Sequence, residues 1–80
     1  MSAVVIDPSD VALVEILGAE KGLPVSFQYV KDGENEAVLR QGKVEGYRNG
    51  VLTLADADGF AGKFRGFRLR NIMGCIIAGG

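Results

Sequence analysis

Three pairs of an acidic or amide residue with glycine, Asp32-Gly33, Asn49-Gly50 and Asp58-Gly59, divide the chain after Pro24 into short segments and leave no room for a long helix there. Asn49-Gly50 is the strongest of these signals, because both central positions of a type I′ turn need positive φ, and it predicts a hairpin. The segments between the turns read as strands. Val25, Phe27 and Tyr29 alternate with Ser26 and Gln28, giving one apolar and one polar face at period two. A long strand follows over 37–47, interrupted by Gly42 and Gly46, where bends or bulges are expected. The third strand is 51–55, the fourth runs from about 62 to 69, and Cys75-Ile76-Ile77 forms a fifth.

One helix is predicted, over 8–21. Asp7 is placed to cap it, Pro8 suits the first helical position, and early acids favour the positive end of the helix dipole. Gly22 and Pro24 supply the stop. Val11, Leu13, Val14, Ile16 and Leu17 give it a broad apolar face.

A small open sheet exposes its edges, so five short, glycine-bent strands are expected to curl and close. The expected fold is mainly β with one N-terminal helix, a five-stranded SH3-like or Sm-like small barrel. It forms a single domain over 1–80, with the barrel at 25–78. Eighty residues hold one core and bury only about 60 to 65% of their unfolded surface, which leaves little for an elaborate pocket. A single cysteine closes no intrachain disulfide, which fits a reducing, cytoplasmic setting. The sequence has no basic leader followed by a long apolar segment and no apolar run near the roughly 20 residues of a membrane span, so neither secretion nor insertion is expected.

There is no His, Cys75 stands alone, and the acidic pairs Glu34/Glu36 and Asp56/Asp58 lack partners for a metal cage or an activated nucleophile. No catalysis, cofactor or metal is therefore expected. Asp56-x-Asp58-Gly59 lacks the further oxygen ligands of a calcium loop, and Lys63 is followed by Phe64 rather than the Ser or Thr of a phosphate-binding loop. Both segments read as turns. Cys75 sits in an apolar segment and is expected to be a buried small residue.

Charge separates along the chain. Residues 1–36 carry two bases against seven acids, a formal −5, and residues 37–80 carry seven bases against three acids, a formal +4. The densest cations lie in Lys63-Phe64-Arg65-Gly66-Phe67-Arg68-Leu69-Arg70. A bulge at Gly66 would turn Phe64, Phe67 and Leu69 inward and Arg65, Arg68 and Arg70 outward. Three guanidiniums on one face need compensation, either from phosphate, which arginine grips with two donors, or from carboxylates such as Glu45, Asp56 and Asp58. Arg40 and Lys43 extend the candidate patch, and Tyr47 is the one base-stacking platform expected outside the core.

The stretch Arg65-Gly66-Phe67-Arg68-Leu69-Arg70-Asn71-Ile72 resembles the C-terminal Arg-x-Phe-Arg-Leu-Asp-Arg-Ile signature of WYL domains, and the likeness extends back through Arg40 and Tyr29, covering roughly 25–77. The family's Trp-Tyr-Leu triplet is not recognisable in Val51 to Ala55, and Arg70-Asn71 stands in place of its Asp-Arg step. The resemblance implies an Sm-like barrel of the kind found in bacterial and phage-associated regulators, with nucleic acid or a nucleotide-like ligand bound around Arg65 and Arg68. Sm-like RNA-binding proteins are a second, looser resemblance, sharing a helix followed by five strands. The leading expectation is thus a noncatalytic module binding nucleic acid or a nucleotide-like anion through Arg40, Lys43, Arg65, Arg68 and Arg70. The alternative is a protein-interaction or homo-oligomeric assembly module that uses its uncharged last strand or its helix face.

Overall fold

The computed structural model describes residues 2–79. Among them are strands β1 (Val4–Ile6), β2 (Pro24–Tyr29), β3 (Val38–Arg48), β4 (Val51–Ala55), β5 (Arg65–Arg68) and β6 (Ile72–Ala78). Helix α1 (Val11–Gly18) lies between β1 and β2, and short 3-10 turns occupy Ala57–Gly59 and Leu69–Asn71. The strands form one antiparallel sheet in the order β1-β6-β2-β3-β4-β5. Asn49 and Gly50, at φ 51° and 77°, make the expected hairpin turn and set Arg48 opposite Val51.

The expected five-stranded closed barrel is corrected to an open sheet of six strands. Val4-Val5-Ile6 supplies the additional strand by pairing with Ile76 to Ala78, so the last strand is interior and the edges are β1 and β5. The uncharged edge expected at 75–77 is thereby covered from Ile76 onward. The sheet nevertheless curls strongly. Three strand spacings of about 4.8 Å would separate β5 from β2 by about 14 Å in a flat sheet. Instead the Phe67 ring on β5 lies 5.2 Å from Phe27 and 5.0 Å from Tyr29, both edge-to-face, and the Arg68 N–H donates to the Tyr29 hydroxyl at 3.2 Å. The core inside this curl comprises Val25, Phe27, Val44, Leu52, Leu54, Phe67, Ile72 and Ile76, closed on one side by Val14 and Leu17 of the helix.

The helix is shorter than the expected 8–21. Asp7 does not cap it, because its carboxylate accepts from the Ser9 N–H (2.9 Å) and Ser9 hydroxyl (2.8 Å) in a preceding turn. Asp10 accepts from the Leu13 N–H instead. At the other end the chain is drawn off to β3: Gly22 N–H donates to the Val44 carbonyl and Val44 N–H donates to the Leu23 carbonyl. Only Val14 and Leu17 of the broad apolar face are buried, whereas Val11, Leu13 and Ile16 remain exposed.

The fourth expected strand shortens from 62–69 to 65–68, and the bulge at Gly66 is absent. Pairing runs unbroken through Leu54 with Arg65, Thr53 with Gly66, Leu52 with Phe67 and Val51 with Arg68. Glycine is required at 66 for close approach, since a Cβ there would lie 2.9 Å from Val51 Cγ1. Phe64 accordingly falls before the strand and is 60% exposed, against the expectation that it is buried. The bulge expected in the second strand occurs between Val44 and Gly46, and Gly42 pairs in register. Cys75 is exposed rather than buried, because along β6 it shares the outward phase of the exposed Met73 and Ile77, while Ile72, Ile76 and Ala78 turn inward.

Helix and sheet meet at Gly18, where a Cβ would collide with Tyr47 Cβ and lie 3.0 Å from the Tyr47 backbone nitrogen. Gly18→Ala is therefore expected to lower stability by about 1–3 kcal/mol in chemical denaturation. Gly46→Ala, with nothing within 4 Å of its added methyl, is expected to cause no loss.

Candidate functional site

The five cations singled out in the sequence do not form one surface. Continuous pairing along β5 puts Arg65 on the face of Phe67 and Arg68 on the opposite face. Arg40 lies opposite the buried Phe27 in the β2–β3 register, so it too starts from the inner face of the curl. The two guanidiniums converge on one ring, with their central carbons 6.0 Å (Arg40) and 5.9 Å (Arg65) from the Phe67 centroid.

Carboxylates engage the other cations. Arg68 and Arg70 approach Asp32 at 3.4 and 3.9 Å, and Asn71 Nδ2 donates to the same carboxylate at 2.8 Å. That amide donor, aided by the two arginine charges and opposed by desolvation, holds the Asp32 carboxyl below the ordinary aspartate range. Lys43 is 3.7 Å from Asp56, and Glu45 is taken by Lys21 at 2.9 Å. Arg40 pairs with Asp58 at 2.9 Å, both side chains being largely shielded. Among the described residues, Arg65 is the one member of the five with no carboxylate partner. The Arg40 Nε is buried there without a hydrogen-bond partner.

Arg40 and Arg65 line a cleft of about 410 Å³ where β3, the 57–59 turn and the start of β5 meet. Its other walls are Val38, Leu39, Gln41, Ala57, Asp58, Phe60 and Lys63. Three cations against one carboxylate leave the cleft with a formal charge of +2. Asp58 is also committed elsewhere, since its second oxygen accepts from the Gln41 N–H at 3.3 Å and ties the turn to β3. Lys63 Nζ stands 5.6 Å from the centre of the Phe60 ring. A partly desolvated pair of guanidiniums beside an ammonium suits a phosphate or another multidentate anion. A larger groove of about 560 Å³ beside Tyr47, Asn49 and Val51 has only Arg68 and Arg70 as its cations, and Asp32 engages both.

Two residues of the cleft escaped the sequence reading. Lys63 stands in the sequence at the head of the cationic segment but outside the candidate patch, and Phe60 in a turn; a phenylalanine between Gly59 and Gly62, outside any alternating segment, is a signal that this ring lacks a place in the core. Tyr47, the expected stacking platform, is instead half-buried against the core and packs on Gly18. Among the described residues no group of three or more His, Cys, Asp or Glu is arranged to hold a metal, and no helix is long and apolar enough to cross a membrane. The chain matches no protein-family model, no curated protein and no solved structure.

Because its pKa is depressed in the fold, Asp32 contributes stability above the ordinary aspartate pKa and loses that contribution as pH falls through the lowered value. Asn71→Ala is expected to move the Asp32 midpoint up toward the ordinary range in an NMR pH titration. Arg70→Ala, whose charge stands farther off, is expected to move it less.

Proposed function

We propose that this chain is a noncatalytic, cytoplasmic binding module with a regulatory role, taking nucleic acid or a nucleotide-like anion in the cleft of Arg40, Lys63 and Arg65. The observation that carries this reading is the convergence of Arg40 and Arg65 on the Phe67 ring in a cleft with a net positive charge. Contact with the Phe67 ring limits the freedom of each guanidinium, so less entropy is lost when it grips an anion. The ring also keeps water off one side of each group, which strengthens a charge-assisted hydrogen bond made on the other.

The likeness to WYL domains supports the same reading, since it implies a nucleic acid or nucleotide-like ligand near Arg65. Arg68, which that likeness also favours, and Arg70, which the sequence pattern alone favours, have a carboxylate partner in Asp32 and are secondary here. Lys43 stands outside the cleft with Asp56 and assists only at longer range.

Anisotropy of a labelled oligonucleotide tests the proposal. Arg65→Ala is expected to weaken binding by about 10- to 100-fold, the range for losing a charged hydrogen-bond donor, while Arg70→Ala changes it less than about 3-fold. With three cations engaged, the log-log salt slope on a single strand is expected near about −2. Equal affinity of Arg65→Ala and the parent chain would remove the cleft from consideration.

A second reading is favoured by the helix, whose Val11, Leu13 and Ile16 are 50%, 43% and 61% exposed. Assembly of two copies through this face would cover them. Light scattering across a range of concentrations distinguishes it, a mass of 8.5 kDa throughout excluding the assembly.

A further inference from the structure

We infer that the cleft's ligand is single-stranded nucleic acid, its unpaired bases stacking on Phe60 and Phe64 while Arg40, Lys63 and Arg65 hold its phosphates. This rests on the anion-binding reading above and goes beyond it by assigning the two aromatic side chains and the strandedness of the ligand.

The four phenylalanines fall into two classes. Phe27 and Phe67 are 2% and 1% exposed, whereas Phe60 and Phe64 are 64% and 60% exposed. A single exposed apolar residue is ordinary and carries no message. Here both exposed rings belong to the segment Phe60-Ala61-Gly62-Lys63-Phe64-Arg65, which also supplies two of the three cleft cations, and Phe60 is itself a wall of the cleft. Rings and cations therefore alternate along one short stretch of chain.

That stretch is held in place. Ala57, only 1% exposed, anchors its base and donates its N–H to the Lys63 carbonyl at 3.0 Å. Lys63 N–H donates back to the Phe60 carbonyl at 3.1 Å, and the Asp56 carboxylate accepts from the Gly62 N–H at 2.8 Å. The backbone carrying the rings is thus organised before any ligand arrives, which reduces the entropy lost on binding.

A phosphate alone has no use for the rings. In a duplex the faces of the bases are already covered by their neighbours, so its aromatic surface is out of reach. An unpaired strand presents a base face and a phosphate at each nucleotide, matching the alternation of ring and cation, and stacking on an aromatic side chain tolerates any base.

The test uses the full chain at low salt with labelled oligo-dT and oligo-U of about 12 nucleotides, a duplex of equal length, and inorganic polyphosphate as competitor. The single strands are expected to bind at least about 10-fold tighter than the duplex. Phe60→Ala and Phe64→Ala are each expected to weaken single-strand binding by about 5- to 100-fold, and Phe64→Ala, which removes no wall of the cleft, is expected to leave polyphosphate binding and the melting temperature unchanged. Phe60→Trp introduces the only indole in the sequence, and its fluorescence is expected to be quenched by the oligonucleotides but not by polyphosphate. If duplex and polyphosphate bind as tightly as single strands, and both alanine variants match the parent, the stacking inference is overturned while the anion site stands. If no oligonucleotide or polyphosphate binds, or Arg65→Ala has no effect, the underlying reading fails and the inference falls with it.

Discussion

The packing of Phe67 between β2 and its own strand is the interaction on which the other features depend. Its edge-to-face contacts with Phe27 and Tyr29 draw β5 back over a sheet position three strands away and so create the enclosed core. Aromatic pairs of this kind add about 0.5–1.5 kcal/mol each beyond the area that they bury. The same ring has the guanidiniums of Arg40 and Arg65 over it, about 6 Å from its centroid. Core and candidate site therefore share a side chain, and a change that loosens the curl also separates the two arginines.

Charge is distributed so that pairing grades from shielded to exposed. Arg40 and Asp58 sit at 19% and 24% side-chain exposure and join β3 to the 57–59 turn. The contacts of Arg68 and Arg70 with Asp32 lie at 54 to 70% exposure, where solvent and salt screen them and they add little to stability. Their structural effect is local: the acidic loop after β2 is laid against the 69–71 turn, helped by the Asn71 amide. This contact joins the acidic and basic portions of the chain in space and cancels part of the charge separation visible along it.

The curl stops short of a closed barrel, and the N-terminal strand extends the sheet on the far side from β5. β1 pairs with β6 rather than with β5, so one edge is protected by a short uncharged strand and the other remains at Arg65–Arg68. The eight-residue helix is too short to be stable alone and depends on Val14 and Leu17 docking on the core, with Gly18 letting it approach Tyr47. Its remaining apolar residues face outward because the curled sheet offers only a narrow strip to cover.

Local rules were enough for much of the fold. The Asn49-Gly50 hairpin, the alternation of Val25 and Phe27, the third strand, and a helix containing Val14 and Leu17 follow from backbone preferences and periodicity, which act over a few residues. Legibility ended where two partners competed for one group or where the deciding atom was distant in sequence. Whether Asp7 or Asp10 caps the helix turned on Ser9 taking the first carboxylate, and the glycine at 66 answered to Val51 across the ladder rather than to a bulge. The cation cluster was legible as composition, but its division was not: register alone sends Arg65 inward and Arg68 outward, and only the curl brings Arg40 to the same ring. Residue types and spacing determined that this chain makes a small sheet rich in arginine. Tertiary structure decided which arginines retain an unmatched charge, because electrostatic partnership depends on distance in space: Asp58 reaches Arg40 across the β3–β4 pairing, and Asp32 meets Arg68 and Arg70 where the end of β2 lies beside the start of β6.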